Sequence, residues 1–400
     1  MKKIFLSVLA VAALASCTKM DTAYEAPQEI GFKTVAGNMT KAAVDGKKFP
    51  TSLNMYVFAE TTDNTGETAN YINNGEFTYI NRYEDIDDSK NVVDKTNVWG
   101  GGSSSSESDR TPYYWPNVKK LHFSGYSKSG NVATDATVAT VSYDCTNNKL
   151  SILKYSPGTS TKAGENDLMW FPCTSLTNAE GYGKETDYVS VNMYHTCSWI
   201  TFLVQGDNVT GAENSTYKVT GITINNIDQQ ANVVCSATAS NGTITPNIVW
   251  TENNAQTTNY QVPVKSTGVL LTTEAQNVEN VENEENDENI TETNPGNIVL
   301  IPQSLIFSKS TDSGNTTYTG PYITVTYTYE SPASTTGNPI VIEEVVSGLS
   351  LKVSNTENSN KWEPGKHYIY TITIKANEIL IAPTPVDWIP GEGNGNVTVE

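Results

Sequence analysis

Apolar and polar residues alternate with a period of two along most of this chain, and helical spacing is nearly absent. Leu53, Met55 and Val57 alternate with Asn54, Tyr56 and Phe58, the pattern of a strand with a separate character on each face. Val189, Val191 and Met193 repeat it, and Ile200, Phe202 and Val204 then alternate in the opposite phase. Side chains change face at every strand residue, so a phase flip needs a break or bulge. His195-Thr196-Cys197-Ser198 is where it falls. Further strands are predicted at 121–123, 217–224, 298–301, 323–329 and 341–346. The clearest has Tyr368, Tyr370, Ile372 and Ile374 on one face and Ile369, Thr371 and Thr373 on the other. The pattern predicts an all-β chain of two β-sandwich domains in series, over 42–183 and 184–400.

The first residues follow another rule. Lys2 and Lys3 precede an apolar run from Ile4 to Ala13, too short to span a bilayer. Leu14-Ala15-Ser16-Cys17 then places small residues directly before a cysteine. This resembles a bacterial lipoprotein signal, in which residues 1–16 are removed and Cys17 becomes an acylated N-terminus. An ordinary secretory signal with a chance cysteine is the alternative. Polar residues 17–41 then form a tether with one short apolar element, Ile30-Gly31-Phe32.

Composition narrows the function classes. Charged residues make up 17% of the 400, and the formal net charge is −19. So acidic a chain has few cations to displace counterions from phosphates, which argues against nucleic acid as a partner. It also argues against direct binding to anionic lipid, so membrane attachment would rest on the acyl chains. Cys145, Cys173, Cys197 and Cys235 remain after Cys17 without any C-x-x-C pair; in an exported protein they could form disulfides, but buried free thiols are expected, and a redox or zinc motif is not supported. Residues 279–292 alternate asparagine with acid. They lack the spacing and glycine of a calcium loop, so a solvated insertion is expected. Gly100-Gly101-Gly102 before a serine run reads as a flexible surface loop.

Catalytic chemistry is hard to find. His122, His195 and His367 sit beside strand-like sequence, and there is no phosphate-cradling loop, no H-E-x-x-H and no dinucleotide fingerprint. A Cys197–His195 couple is the sharpest enzymatic reading and would need both residues in an open cleft. Tyr113-Tyr114-Trp115, between Pro112 and Pro116, is either a sugar-stacking platform or a set of core aromatics. The reading is of a non-enzymatic protein with no cofactor and no metal.

Several separated stretches resemble one family. Tyr113-Tyr114-Trp115-Pro116 leading to His122-Phe123-Ser124-Gly125-Tyr126 is similar to a segment of Bacteroides-type fimbrillin-like proteins. So are Asp167-Leu168-Met169, Val189-Ser190-Val191 with His195, Pro302-Gln303, Trp362-Glu363-Pro364-Gly365-Lys366-His367-Tyr368, and Val386-Asp387-Trp388. The resemblance implies two tandem transthyretin-like, Greek-key β-sandwiches in a type V pilus subunit. It implies export as an outer-membrane lipoprotein to the cell surface and cleavage by an extracytoplasmic Arg/Lys-specific protease. Assembly with other fimbrial subunits would follow by donor-strand exchange, in support of adhesion or biofilm formation. On this sequence the expected scissile bond is Lys41–Ala42, with Lys47 or Lys48 second. The expected donor strand lies in 377–400, with Ile379, Ile381, Val386 and Trp388 filling the acceptor groove. Pro383 and Pro385 lack N–H groups and confine that segment to a sheet edge. The other reading is a surface glycan-binding lipoprotein that does not polymerise.

Overall fold

The computed structural model describes residues 29–34, 53–62, 67–86, 92–103, 111–116, 120–128, 141–144, 147–157, 167–177, 189–207, 216–240, 243–252, 257–278, 298–330, 340–354, 356, 359–375 and 379–387. Among these the regular structure is strand, with no α-helix. The alternating segments form strands where the pattern places them: Met55–Thr62, Ser198–Gly206, Thr216–Asp228, Tyr322–Glu330, Val341–Ser350 and Lys366–Ile374.

The largest sheet has eight strands. In spatial order they are Tyr194–His195, Leu168–Thr177, Lys120–Lys128, Met55–Thr62, Thr68–Ile86, Val92–Gly101, Gly31–Thr34 and Val189–Val191. Four strand positions separate Gly31–Thr34 from Lys120–Lys128, about 19 Å in a flat sheet. Yet the rings of Phe32 and Phe123 lie 5.3 Å apart. The sheet therefore curls on itself, enclosing a cluster built from Ile30, Phe32, Met55, Val57, Phe77, Phe123 and Phe171 among others.

Its other face contributes Phe58, Tyr126, Leu168 and Trp170 to a second cluster. Leu150, Ile152, Val233 and Cys235 meet them there, from a four-stranded sheet ordered Thr243–Glu252, Ala231–Ser240, Lys149–Tyr155, Val141–Asp144. A third cluster fills the space between two five-stranded sheets of the C-terminal half. One carries Ile200, Phe202, Val204, Tyr370 and Ile372, the other Val219, Ile222, Ile224, Ile323 and Val325.

The expected boundary at 183/184 does not coincide with a sheet boundary. Val189–Val191 and Tyr194–His195 pair within the first sheet, and Ala231–Ser240 pairs with Lys149–Tyr155 from the first half. Non-local pairing of this kind leaves no local mark in the sequence. The phase flip falls where expected: Val189, Val191 and Met193 enter the curled-sheet cluster, while Ile200, Phe202 and Val204 enter the C-terminal one.

Gly100-Gly101-Gly102 corrects another expectation. Gly100 and Gly101 end a strand and are buried, because a Cβ on Gly101 would come within 2.7 Å of the Tyr113 ring. Gly101 makes room for an aromatic ring at the end of a strand.

Candidate functional site: the slot of the N-terminal strand

Gly31–Thr34 occupies a slot between two other strands. It pairs antiparallel with Val92–Gly101, Gly31 facing Gly100 and Phe32 facing Trp99. On its other edge it pairs parallel with Val189–Val191, Phe32 facing Val189 and Thr34 facing Val191. Ile30 and Phe32 are fully buried, at 0% exposure. The Phe32 ring meets Phe77 at 5.0 Å and Phe123 at 5.3 Å, both edge to face, and Phe171 at 5.9 Å. Short as it is, this strand fills the centre of the curled sheet.

The 111–116 segment lies at its N-terminal end. The Ile30 N–H donates to the Tyr113 carbonyl over 2.7 Å, and Glu29 forms an antiparallel bridge with Tyr114. The Tyr71 hydroxyl donates to the Tyr114 carbonyl. Tyr113 stacks on Phe77 at 5.5 Å, and Trp115 meets Phe123 edge-on at 5.7 Å. Tyr113 and Trp115 thus pack against the core, while Tyr114 alone is exposed, at 41%. The three rings do not form the flat platform that sugar stacking needs.

The donor-strand expectation falls on Ile379–Asp387, which pairs antiparallel with Lys366–Ile374 from Ile379 opposite Ile374 to Asp387 opposite Lys366. It is the last strand of its sheet. Ile379 and Ile381 pack against the C-terminal core while Leu380 is exposed. The structure thus has this segment paired with its own chain. Cys17, Lys41, Ala42 and Trp388 lie outside the described residues, as do Lys47, Lys48 and the acidic stretch 279–292.

His195 and Cys197 do not form a couple. The His195 ring nitrogen Nδ1 pairs with Asp167, and both side chains are buried. Burial raises the Asp167 carboxyl above its usual range, and the histidine opposes that rise. Cys197 is fully buried, its Sγ 3.9 Å from the Thr196 hydroxyl oxygen. Burial, with the Asp167 charge adding to it, holds the thiol well above its ordinary value, so it carries no thiolate to act as nucleophile. Thr196 and Cys197 instead tie neighbouring segments together. The Thr196 hydroxyl donates to the Leu168 carbonyl (2.8 Å), Trp250 Nε1 to the Thr196 carbonyl (2.6 Å), and the Gly365 N–H to the Cys197 carbonyl (2.8 Å). Cys197 and Cys235 are free thiols; Cys145 and the Cys173 side chain are not among the described groups.

The other recurring motifs are structural too. Trp362 Nε1 donates to the Tyr370 hydroxyl, which donates to the Leu351 carbonyl, each at 2.8 Å. Gln303 accepts from the Asp228 N–H at 3.1 Å and donates to the Ile301 carbonyl at 3.1 Å. Gly365, at φ +66°, follows Pro364 in the turn that reverses the chain into Lys366–Ile374. His367 lies flat on Trp199 at 3.6 Å and shares a 2.9 Å hydrogen bond with Thr201. Its burial lowers the imidazole from 6.5 to about 3, so it stays neutral. Among the described residues no group of three or more His, Cys, Asp or Glu side chains could hold a metal ion, and no helix is long and apolar enough to cross a membrane.

The fold and this site define an all-β protein built around a buried N-terminal strand. The model of the fimbrillin-like family matches residues 40–388, and the chain belongs to that family. Among solved structures it is similar to a fimbrial protein from Bacteroides vulgatus, at 15% identity and a TM-score of 0.46, with 90% of this chain and 99% of that chain covered. It is also similar to the C-terminally truncated tip fimbrial protein Mfa3 from Porphyromonas gingivalis, at 9% identity and a TM-score of 0.34, covering 91% and 100%. At these scores the assignment rests on the family match over 40–388. No curated protein matches the chain.

Proposed function

We propose that this chain is a structural subunit of a cell-surface fimbria, assembled by protease-triggered donor-strand exchange. Its family membership supports a fimbrial or adhesive, non-enzymatic role at the cell surface and association with other fimbrial subunits. The observation that carries the finer reading is the slot: one short strand, fully buried at Ile30 and Phe32, is held between two strands that would each lose a partner if it left.

The proposed sequence of events joins that slot to what the family resemblance implies. Acylated Cys17 delivers the subunit to the outer face of the outer membrane. An Arg/Lys-specific protease cuts at Lys41–Ala42, downstream of the slot strand, and residues 17–41 leave with the lipid. The emptied slot offers unpaired backbone groups and apolar pockets to an extended strand of another subunit, which is β-augmentation. The C-terminal segment 377–400 is the proposed donor, and Ile379–Asp387 would first have to leave the edge of its own sheet. The assembled fimbria supports adhesion or biofilm formation. The glycan-binding alternative draws less support, with Tyr114 the one exposed ring of its three.

Limited trypsin digestion of the lipid-free protein tests the proposal, with mass spectrometry locating the cut and SDS gels reporting polymers. A cut at Lys41 followed by an SDS-resistant ladder is expected. Indiscriminate cutting without assembly would sink the reading.

A further inference from the structure

The two ladders flanking the slot do not fix its occupant's position. A strand that slips by one residue turns its apolar face away from the core. A slip by two keeps the same face inward and restores every ladder hydrogen bond. The fit of Phe32 against Phe77, Phe123 and Phe171 opposes that slip, and a backbone contact beyond the ladders would fix the register for any side chains.

The 111–116 segment has the required placement. Ile30 precedes the paired residues of both ladders, whose registers begin at Gly31 and at Phe32. Its N–H is taken by the Tyr113 carbonyl at 2.7 Å. That carbonyl is held by contacts the slot strand does not make. A Cβ on Gly75 would lie 2.8 Å from the Tyr113 hydroxyl oxygen, and one on Gly101 2.7 Å from its ring. Both glycines therefore leave a seat for the ring, which stacks on Phe77 at 5.5 Å. Tyr71 holds the next carbonyl, that of Tyr114. Pro112 and Pro116 restrict the backbone at either end. Tyr71, Gly75 and Phe77 all belong to Thr68–Ile86, which does not pair with the slot strand.

We propose that Tyr113, held by Tyr71, Gly75 and Gly101, sets the register of whichever strand occupies the slot. Its carbonyl accepts the occupant's first N–H. The occupant must then carry a non-proline residue at the position of Ile30, with apolar side chains there and two residues further on. This rests on the strand-exchange reading for any incoming strand, but on the intact chain it stands by itself. Ile379-Leu380-Ile381 meets the requirement, whereas neither Pro383 nor Pro385 can take the Ile30 position.

Two measurements test it. On the full-length protein, amide hydrogen exchange at Ile30 is compared between wild type and Tyr71→Phe, which removes one hydroxyl from an exposed side chain. About fivefold faster exchange at Ile30, with a smaller change at Phe32, is expected; equal rates at Ile30 overturn the clamp. The trypsin-cut protein, with the protease then inhibited, is offered a synthetic peptide of residues 28–36 or the same peptide N-methylated at Ile30. The methylated peptide should bind at least tenfold more weakly, and equal binding of the two also overturns the clamp. If neither peptide binds, strand exchange fails, and the exchange rates of the intact chain still decide the clamp.

Discussion

Phe32 and Phe123 meet edge to face at 5.3 Å although four strand positions separate them in the sheet. That contact closes the curled sheet, and the residue making it stands on the strand that the proposed maturation would remove. The N-terminal strand is thus a core element and, under that proposal, a plug.

Truncating the plug should cost as much as truncating any central core residue. Phe32→Ala is expected to destabilise the intact protein by about 3–5 kcal/mol, read as a lower denaturation midpoint. Tyr114→Ala removes a side chain that is 41% exposed and should stay within about 0.5 kcal/mol of wild type.

The Trp362–Tyr370–Leu351 chain predicts a loss without any cavity. Tyr370→Phe keeps the ring packed but leaves the Leu351 carbonyl and the Trp362 indole N–H without the hydroxyl that joins them. A cost of about 1–3 kcal/mol is expected, measured by denaturant unfolding. A neutral result would mean that both groups find other partners.

Stability should carry a histidine signature in acid. His367 is depressed to about 3 in the folded protein against 6.5 ordinarily. The unfolded chain therefore takes up the proton first as pH falls. The contribution is fully present above about pH 6.5 and is lost progressively down to about pH 3. His367→Gln should lower stability at neutral pH through the lost Trp199 stack, and should flatten the fall between pH 6.5 and 3. Parallel curves for the two proteins would contradict this.

Cys197 and Cys235 are fully buried, and burial raises both thiols. Neither should react with a thiol reagent at pH 8 in the native protein, and both should react in denaturant. Residue-resolved mass spectrometry of the labelled protein checks it.

Much of the strand content was legible because one side of most of these strands is buried; Val341–Ser350, with no buried residue, is the exception. The Tyr368–Ile374 alternation follows from one face entering a single cluster, and the flip across His195–Ser198 from side chains that enter different clusters. Thr68–Ile86 was not legible: it is rich in polar residues, and its pairings shift register with both neighbours, so no single period runs through it. The hairpin 231–252 was missed as well, and its partner Lys149–Tyr155 lies some 80 residues earlier in the chain. Of the site, the sequence marked Ile30-Gly31-Phe32 as a short apolar element and Tyr113 as half of a question. It could not mark Gly75 and Gly101 as the seat of that ring, because a glycine's purpose depends on what fills the space beside it.

The most direct test is the composition of the polymer itself. SDS-resistant assemblies formed after trypsin treatment should be purified, dissociated and mapped by mass spectrometry. Assembly by strand exchange predicts that Ile30-Gly31-Phe32 is missing from every assembled subunit and recovered among the released peptides. Polymers that retain this strand would contradict the account, since the slot would then still be filled.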